Sequence, residues 1–260
     1  MALFKIAVLP LFIFALLVAG QARGQGSTTT SRYIDRRVSP GAGRSELTLA
    51  SGYFVHEYLE SLGGSTWKEW YLDGEYRYGL DDSYAVIWSP LPIGIVYRLM
   101  SHDPDIEASV SWRLDLIDYN RIGIGPRFNS YFRRKFRDVW AIESLLEYST
   151  FTPFGRDPSV WSTSLTLSFP YQAGDWLAIV PTVAFSLYDN VLKKVFVDDL
   201  EESKRGEAQE KIRFVIPVGL AADYRPNDGD KLSLSYTYYG ASIDREFNTH
   251  LIKLSFTRAW

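Results

Sequence analysis

The chain closes on "NTHLIKLSFTRAW", residues 248–260, in which polar and apolar side chains alternate up to a terminal tryptophan. Successive side chains of an extended strand point to opposite faces, so a period of two predicts a β-strand with one apolar face. That face carries Arg258 together with Ile252, Leu254, Phe256 and Trp260. A strand that runs to the last residue is expected to be paired along its edges, because a bare edge invites aggregation.

The same alternation recurs over residues 45–260. It is clearest in the stretches "ASVSWRLDL" (108–116), "VWSTSLTLSF" (160–169), "KIRFVIPVGLAADY" (211–224) and "KLSLSYTYY" (231–239). Short segments rich in Gly, Pro, Asn and Asp separate these stretches, as hairpin turns do. No spacing fits a strand–helix–strand unit, so consecutive strands are expected to be antiparallel neighbours. The pattern predicts an all-β up-and-down meander.

Eleven strands can be read from the alternation. They lie near 46–59, 67–80, 84–99, 107–118, 121–133, 138–149, 159–169, 176–188, 210–224, 231–241 and 248–260. A barrel with both chain ends on one side needs an even number of strands. Placing short turns from each end inward gives assignments that collide near 133–158, so one strand has been missed or divided wrongly. We expect twelve strands, with ten as the alternative.

The length of the strands favours a membrane barrel over a soluble β-sandwich. Many predicted strands have ten or more residues, the length that crosses hydrocarbon at a tilt near 45°, whereas ordinary strands have about five or six. Aromatic residues also flank the apolar face at one spacing, from Trp140 to Tyr148 and from Trp161 to Phe169. Eight residues at about 3.4 Å each, tilted by about 40°, cover roughly 21 Å, close to the apolar band between two aromatic girdles.

The opposite face of the strands is too polar for a packed soluble core. Its charged residues are Glu75, Arg77, Arg113, Asp115, Arg121, Arg127, Glu143, Glu147, Arg213 and Asp223. Burying them would require nearly every charge to be paired, at a cost of several kcal/mol of desolvation per ion. A hydrated lumen removes most of that cost. We therefore predict that these ten residues line the lumen of a transmembrane barrel.

The N-terminus has the layout of a secretory signal peptide. A positive start, "MALFK", precedes 15 apolar residues, "IAVLPLFIFALLVAG", and the small-residue segment "QARGQG". The apolar run is too short for a membrane anchor, so residues 1–22 are predicted to be a cleaved signal peptide. Residues 23–44 are polar and lack a period, which predicts a flexible periplasmic leader before a barrel of residues 45–260. The absence of cysteine excludes a lipidated cysteine and a disulfide-stapled fold.

Signal peptide, amphipathic strands and the terminal "LIKLSFTRAW" together resemble the Gram-negative outer-membrane β-barrels of the porin and transporter type. In that class the last strand ends in Phe or Trp and is recognised by the barrel-assembly machinery. The resemblance therefore implies an assembly signal at Ile252, Leu254, Phe256 and Trp260, from which Arg258 departs. It also implies a location in the outer membrane and contact with its lipids, including lipopolysaccharide.

No constellation of residues indicates an enzyme. The three histidines, His56, His102 and His250, lack a serine at the spacing of a barrel lipid hydrolase, and "HDPD" (102–105) is more simply a solvated loop than a metal site. We expect no cofactor and no metal. A formal net charge of −3 argues against a nucleic-acid partner. Nothing in the sequence indicates the oligomeric state.

The lumen residues lead to the functional expectation. Arginines facing acids across a barrel of ten to twelve strands suit a narrow polar lumen, which predicts a passive channel or transporter for small solutes. Two alternatives stay open: a structural or adhesion barrel with a closed lumen, and a lipid-modifying outer-membrane enzyme. The charged connection 189–209, "DNVLKKVFVDDLEESKRGEAQ", would either fold inward as a plug or project from the surface.

Overall fold

The computed structural model describes residues 32–35, 37, 40–58, 66–88, 93–99, 103, 105–118, 121–153, 160–189, 213–227, 229–239 and 247–260. A 3-10 helix, Tyr33–Asp35, comes first. The strands that follow are β1 Ser45–Tyr58, β2 Thr66–Gly79, β3 Tyr84–Trp88, β4 Ile93–Leu99, β5 Ile106–Asp118, β6 Arg121–Phe136, β7 Trp140–Pro153, β8 Val160–Ser168, β9 Tyr171–Gln172, β10 Leu177–Asp189, β11 Arg213–Val215, β12 Val218–Tyr224, β13 Asp230–Tyr238 and β14 Phe247–Ala259. No helix among the described residues is long and apolar enough to cross a bilayer.

The fourteen strand segments form one closed antiparallel sheet. Each strand pairs with its neighbours in chain order, and β14 pairs with β1 to close the circle. Segment β9 continues β8 beyond Pro170, and β11 precedes β12 on the same side of β10, so the barrel has twelve strands. The predicted fold class and the expected strand number are confirmed.

The strand missing from the sequence count lies within residues 84–99, not near 133–158. The structure divides this stretch into β3 and β4, which form a hairpin with Trp88 opposite Ile93. The outward residues have even numbers in β3 and odd numbers in β4. The alternation therefore continues on both sides of the turn, but its phase shifts by one residue. Pro90 and Pro92 lie between the two strands, and a proline has no N–H to give to a sheet.

The two faces of the barrel have opposite character. Large apolar side chains cover the outside, among them Trp88 and Ile93, which are 63% and 66% exposed. The inward positions carry charged, hydroxyl and small residues, and several of the buried apolar side chains are small, as Ala85 and Ala184 illustrate. This inside-out arrangement suits a lipid surround and a polar interior. The predicted direction of the strand faces is confirmed.

Closure of the barrel reaches the last residue of the chain. The register of β1 with β14 runs from Glu46 opposite Ala259 to Tyr58 opposite Phe247. Beyond it, the N–H of Ser45 donates to the carbonyl of Trp260 at 2.9 Å, and the N–H of Trp260 returns a bond to Ser45 at 3.0 Å. The open edge that the terminal strand would present is therefore fully paired.

Arg258 faces outward on the same side of β14 as Phe256 and Trp260. It lies directly opposite Asp230 of β13, and its Nε is 3.9 Å from Asp230 Oδ1. Its side chain is only 16% exposed. The ion pair at the rim explains how the outward face tolerates a charge two residues from the end.

The orientation of the two faces predicts that a charge introduced at neighbouring positions of β13 lowers stability by different amounts. Leu234 faces outward near the middle of the strand, and Ser235 faces inward. Replacing Leu234 by Arg should lower the free energy of unfolding by about 2–4 kcal/mol, because the cation faces hydrocarbon. Urea unfolding in lipid vesicles would measure this change. The Ser235→Arg variant should lose less than about 1 kcal/mol, and an equal loss in both variants would contradict the assigned faces.

Candidate functional site

Six inward-facing charged residues form a series along the barrel wall, which we call the central ion-pair network. Its members come from four strands and are Glu75, Arg77, Arg113, Asp115, Arg127 and Glu147. Their odd numbers place them on the inner face of β2, β5, β6 and β7, as the sheet register requires. The sequence predicted all six as lumen residues, and the structure brings them together.

Glu75 and Asp115 are the acids at the centre of this network. Glu75 accepts hydrogen bonds from Arg77 Nε at 2.5 Å and from Arg113 Nη1 at 3.1 Å. Asp115 lies between two guanidinium groups, 3.0 Å from Arg113 Nε and 2.9 Å from Arg127 Nε. Each acid therefore neutralises two arginines that would otherwise repel each other.

The network ends at Glu147, whose Oε2 is 3.8 Å from Arg127 Nη1. Three acids and three arginines alternate, so their charges sum to zero. The side chain of Arg113 on β5 reaches Glu75 on β2, with β3 and β4 between them. Gly94 of β4 lies on this path. A Cβ on Gly94 would come within 2.6 Å of Arg113 Cβ and of the Trp112 carbonyl, so glycine is required there.

A second set of charges lies nearer the chain termini, and we call it the periplasmic ion-pair network: Arg98, Glu107, Arg133 and Glu143. Glu107 pairs with Arg98 at 3.3 Å and with Arg133 at hydrogen-bond distance. Glu143 lies 4.0 Å from Arg133 and accepts a 2.8 Å bond from the Tyr131 hydroxyl. All but Arg98 are buried, so side chains fill the lumen at this level.

The N-terminal segment, residues 32–44, enters the barrel at the same level. The Tyr33 hydroxyl donates to Glu143 Oε2 at 2.9 Å, and the Tyr33 N–H donates to Gln172 Oε1 at 2.9 Å. The cations of Arg225 and Lys231 each lie 5.9 Å from the centre of the Tyr33 ring. Tyr33 is thus held by groups from several strands, as a residue inside the barrel must be.

Ile34 is fully buried and belongs to a cluster with Ala141, Ala178 and Val180 of the inner wall. Asp35 pairs with Lys135 of β6 at 3.1 Å. These contacts lie around β6, β7 and β10, on the far side of the barrel from β1, where the segment ends. The described residues of the segment therefore cross the periplasmic mouth.

Close to β1 the same segment packs against Gly79. The Gly43 N–H donates to the Gly79 carbonyl at 2.9 Å, and a Cβ on Gly79 would lie 2.1 Å from the Gly41 carbonyl oxygen. Gly43 adopts a φ of 69°, which glycine tolerates best. Of the region 23–44 predicted to be a flexible leader, the described part is thus packed on the barrel, which its polar composition did not indicate.

The other four predicted lumen residues lie outside the central ion-pair network. Glu143 belongs to the periplasmic network, and Asp223 pairs with Lys231 at 3.3 Å on the inner face of β12 and β13. Arg121 and Arg213 lie on strands, but their side chains are outside the described part of the structure. The predicted connection 189–209 likewise lies outside it, apart from Asp189 at the end of β10.

Sequence reasoning missed Arg98, Glu107, Arg133, Lys135 and Lys231. The strand predicted near 121–133 ends too early, since β6 continues to Phe136 and the turn begins at Arg137, with a φ of 59°. The odd positions of Arg133 and Lys135 continue the inward phase of Arg127. Extending the alternation of β6 through the charged residues 133–136 would have identified both residues as inward-facing.

His250 faces outward, and its side chain is described by the structure. Its Nδ1 lies 2.8 Å from the Tyr236 hydroxyl, and its Nε2 lies 4.0 Å from Glu57. The side chains of His56 and His102 are outside the described residues. Among the residues that are described, no group of three or more histidines and acids is arranged to hold a metal ion.

The fold matches those of solved outer-membrane barrels. The crystal structure of the COG4313 outer membrane channel from Pseudomonas putida F1 superimposes with a TM-score of 0.60 at 10% identity, covering 85% of this chain and 97% of that one. The NanC porin gives 0.46 at 8% identity, covering 81% and 98%. The translocator domain of the autotransporter NalP from Neisseria meningitidis gives 0.41 at 10% identity, covering 84% and 89%.

No protein-family model matches this sequence, and no curated protein matches it significantly. At 10% identity the COG4313 channel shows a shared fold and nothing finer. With the apolar exterior, this fold places the protein in the outer membrane of a Gram-negative bacterium, as the terminal strand implied. The predicted assembly signal at Ile252, Leu254, Phe256 and Trp260 stays a prediction, although all four side chains lie on the outward face.

The central network predicts a large cost for removing Asp115. In Asp115→Asn, Arg113 and Arg127 face each other directly across β5 and β6 without their shared acid. The free energy of unfolding should fall by roughly 3 kcal/mol, because two adjacent, largely buried cations lose the acid that lies between them and keep only Glu75 and Glu147. Urea unfolding would measure it. Asp73→Asn, an exposed acid on the same inner face, should change stability by under about 0.5 kcal/mol, and similar losses would contradict the network's role.

Proposed function

We propose that this protein is a passive channel for small polar solutes across the outer membrane. The observation that carries the proposal is the central ion-pair network, which lines the inner wall with alternating and mutually neutralised charges. Such a wall presents both donors and acceptors of hydrogen bonds without a large net field. It favours small polar solutes of either sign over one strongly charged class.

The inner wall carries different side chains on its two halves. The central network occupies the half of the wall made by β2 to β7. The opposite half presents short hydroxyl side chains on β8, β10 and β13, namely Ser162, Ser164, Thr166, Ser168, Thr182, Ser186, Ser233, Ser235 and Thr237. In the channel proposal, the solute passes between the long arginine side chains and these short hydroxyl side chains.

The dimensions of the barrel limit the size of the solute. Twelve strands spaced by about 4.8 Å and tilted by about 40° give a backbone diameter of roughly 24 Å. Inward side chains occupy much of this width, since barrels of eight strands are filled and those of sixteen or more leave a wide channel. The proposal is therefore a narrow pore for molecules of about the size of a sugar or amino acid.

A closed-lumen barrel is the second candidate, and the N-terminal segment favours it. Ile34 and Tyr33 are buried where the segment crosses the periplasmic mouth, next to the filled level of the periplasmic network. In the channel proposal this segment narrows the exit and must shift for solutes to pass. In the alternative it closes the barrel permanently.

Planar-bilayer recording separates the two candidates. The folded wild-type protein should give discrete ionic steps, and the absence of steps would overturn the channel proposal. Replacing Arg113 and Arg127 together by alanine removes two inner-wall cations and leaves Glu75, Asp115 and Glu147 in place. The reversal potential in a salt gradient should move toward cation selectivity. Arg134→Ala, at an exposed arginine on the outward face of β6 beside Phe136, is the control that should leave it unchanged.

The N-terminal segment predicts a gain of conductance. Ile34→Asp places a charge in the apolar cluster of Ala141, Ala178 and Val180, which should expel the segment from the mouth. Single-channel conductance should then rise at least about twofold, because the narrowest level loses its filling. Ser31→Asp, three residues earlier in the chain, is the matched control. Equal conductance in wild type and Ile34→Asp would show that the segment does not limit the pore.

A further inference from the structure

Three polar side chains on the inner wall belong to neither ion-pair network. They are Lys253 of β14 and Tyr71 and Asp73 of β2, and we call them the seam group because they flank β1, where the barrel closes. Tyr71 and Asp73 share the inward phase of Glu75, and Lys253 lies directly opposite the inward-facing Ser235. Within the described part of the chain, none of the three makes a hydrogen bond or an ion pair.

The sheet register arranges the seam group around Gly52 of β1. Gly52 is directly opposite Lys253 on one side and opposite Tyr71 on the other. Asp73 follows two residues along β2, opposite Ala50. Two strand spacings of about 4.8 Å and two residues of about 3.4 Å separate the Cα atoms of Lys253 and Asp73 by roughly 12 Å. The two opposite charges therefore face the same part of the lumen.

The glycine at position 52 determines where the Tyr71 ring lies. A Cβ on Gly52 would come within 2.0 Å of Tyr71 Cε1 and 2.7 Å of the Tyr71 hydroxyl oxygen. The far end of the ring therefore lies over the backbone of β1, in space that only a glycine leaves free. The Phe54 ring packs beside it, with centroids 5.4 Å apart. The Tyr71 hydroxyl is thus held between the strand that carries Asp73 and the strand that carries Lys253.

The two charges of the seam group are accessible to a solute, unlike those that the networks neutralise. The Asp73 side chain is exposed although it faces inward. Lys253 is half-buried and attracts Glu75, but Glu75 already accepts hydrogen bonds from two arginines, Arg77 and Arg113. An ammonium group has three N–H donors and a carboxylate accepts several hydrogen bonds, so both groups take their partners from water or from a solute.

We propose that the seam group binds zwitterionic solutes that carry both an ammonium and a carboxylate group, as free amino acids do. Lys253 donates to the carboxylate of the solute, and Asp73 accepts from its ammonium group. The Tyr71 hydroxyl lies between them and donates to the same carboxylate. Hydrogen bonds between ionised groups are the stronger ones, and a zwitterion makes one at each end.

The spacing of the two charges suits a small zwitterion. An α-amino acid with a hydrogen bond of about 2.8 Å at each end joins protein groups that lie roughly 8 Å apart. Lys253 and Asp73 reach this spacing when their side chains extend inward from Cα atoms roughly 12 Å apart. A solute with a single charge would satisfy one of the two groups and leave the other to water.

The inference specifies the solute class of the proposed channel and rests on that proposal for transport, although binding to the seam group does not require conduction. Liposome swelling compares L-alanine with lactamide, a neutral molecule of nearly the same size. Through the wild-type protein, L-alanine should enter at least about threefold faster, because the site raises its concentration in the lumen.

Two variants remove one charge each from the seam group. Lys253→Met and Asp73→Asn should each bring the two entry rates together, while the rate of lactamide stays within about twofold of its wild-type value. Lys68→Met is the matched control, since Lys68 is exposed on the outward face of β2, opposite Val55, and should keep the wild-type preference. Heat-modifiable migration on gels verifies that each variant is folded.

Binding is measured separately, by saturation-transfer NMR with L-alanine on the same folded proteins in detergent micelles. The wild-type protein should transfer saturation to L-alanine, and each of the two seam-group variants should reduce the signal at least about threefold. Lys68→Met should keep the full signal. This measurement does not depend on an open pore.

The outcomes separate this inference from the channel proposal. Equal entry of L-alanine and lactamide through the wild-type protein, or an unchanged preference in folded Lys253→Met, overturns the zwitterion site and leaves the channel standing. If neither solute enters but both variants lose the saturation transfer, the site stands and the channel proposal falls. If wild-type protein shows neither swelling nor saturation transfer, both proposals fall.

Discussion

Every feature of this protein depends on one constraint, the pairing of backbone hydrogen bonds in hydrocarbon. A sheet that crosses a membrane cannot leave its edges open, so it must close on itself. Here the closure is the pairing of β14 with β1, which extends to the hydrogen bonds between Ser45 and Trp260. Closure fixes the alternation of the faces, and the alternation sends charges inward and large apolar side chains outward.

The charges that face inward are the second constraint on the structure, because they must be compensated. The arginines and acids of the central network neutralise one another in series, so each of these six charges has an oppositely charged partner. The desolvation cost is lower than for fully buried ions, because these side chains are partly exposed. Nearer the periplasm the same chemistry is combined with Tyr33 and Ile34, and there the lumen is filled. The barrel therefore carries paired charges at its centre and closely packed side chains at its periplasmic level.

Much of this was predictable because the period of two is a local property of the sequence. The inward face of Arg113, Asp115 and Arg127 follows from their odd positions on long strands, and the strand number follows from closure. The partners of these residues did not follow, since Glu75 meets Arg113 only through the register of four strands. The burial of Ile34 was also hidden, because a two-residue apolar group in a polar segment has no period.

The β3–β4 hairpin is the region where the strands predicted from the sequence differ most from the structure. Residues 84–99 have the apolar content of one long strand, and the prolines at 90 and 92 were the signal for the turn. Reading them as a turn gives the twelfth strand. The pattern therefore placed the missing strand near 133–158, although the signal for it lay at these two prolines.

The central claim is that the inner face of the barrel is hydrated across the membrane. Single-cysteine variants of residues 232–237 on β13, treated with a small water-soluble maleimide in lipid vesicles, test it most directly. The account predicts fast labelling at Ser233, Ser235 and Thr237 and slow labelling at Leu232, Leu234 and Tyr236. Uniformly slow labelling at all six positions would mean a dry, filled interior and would contradict the account.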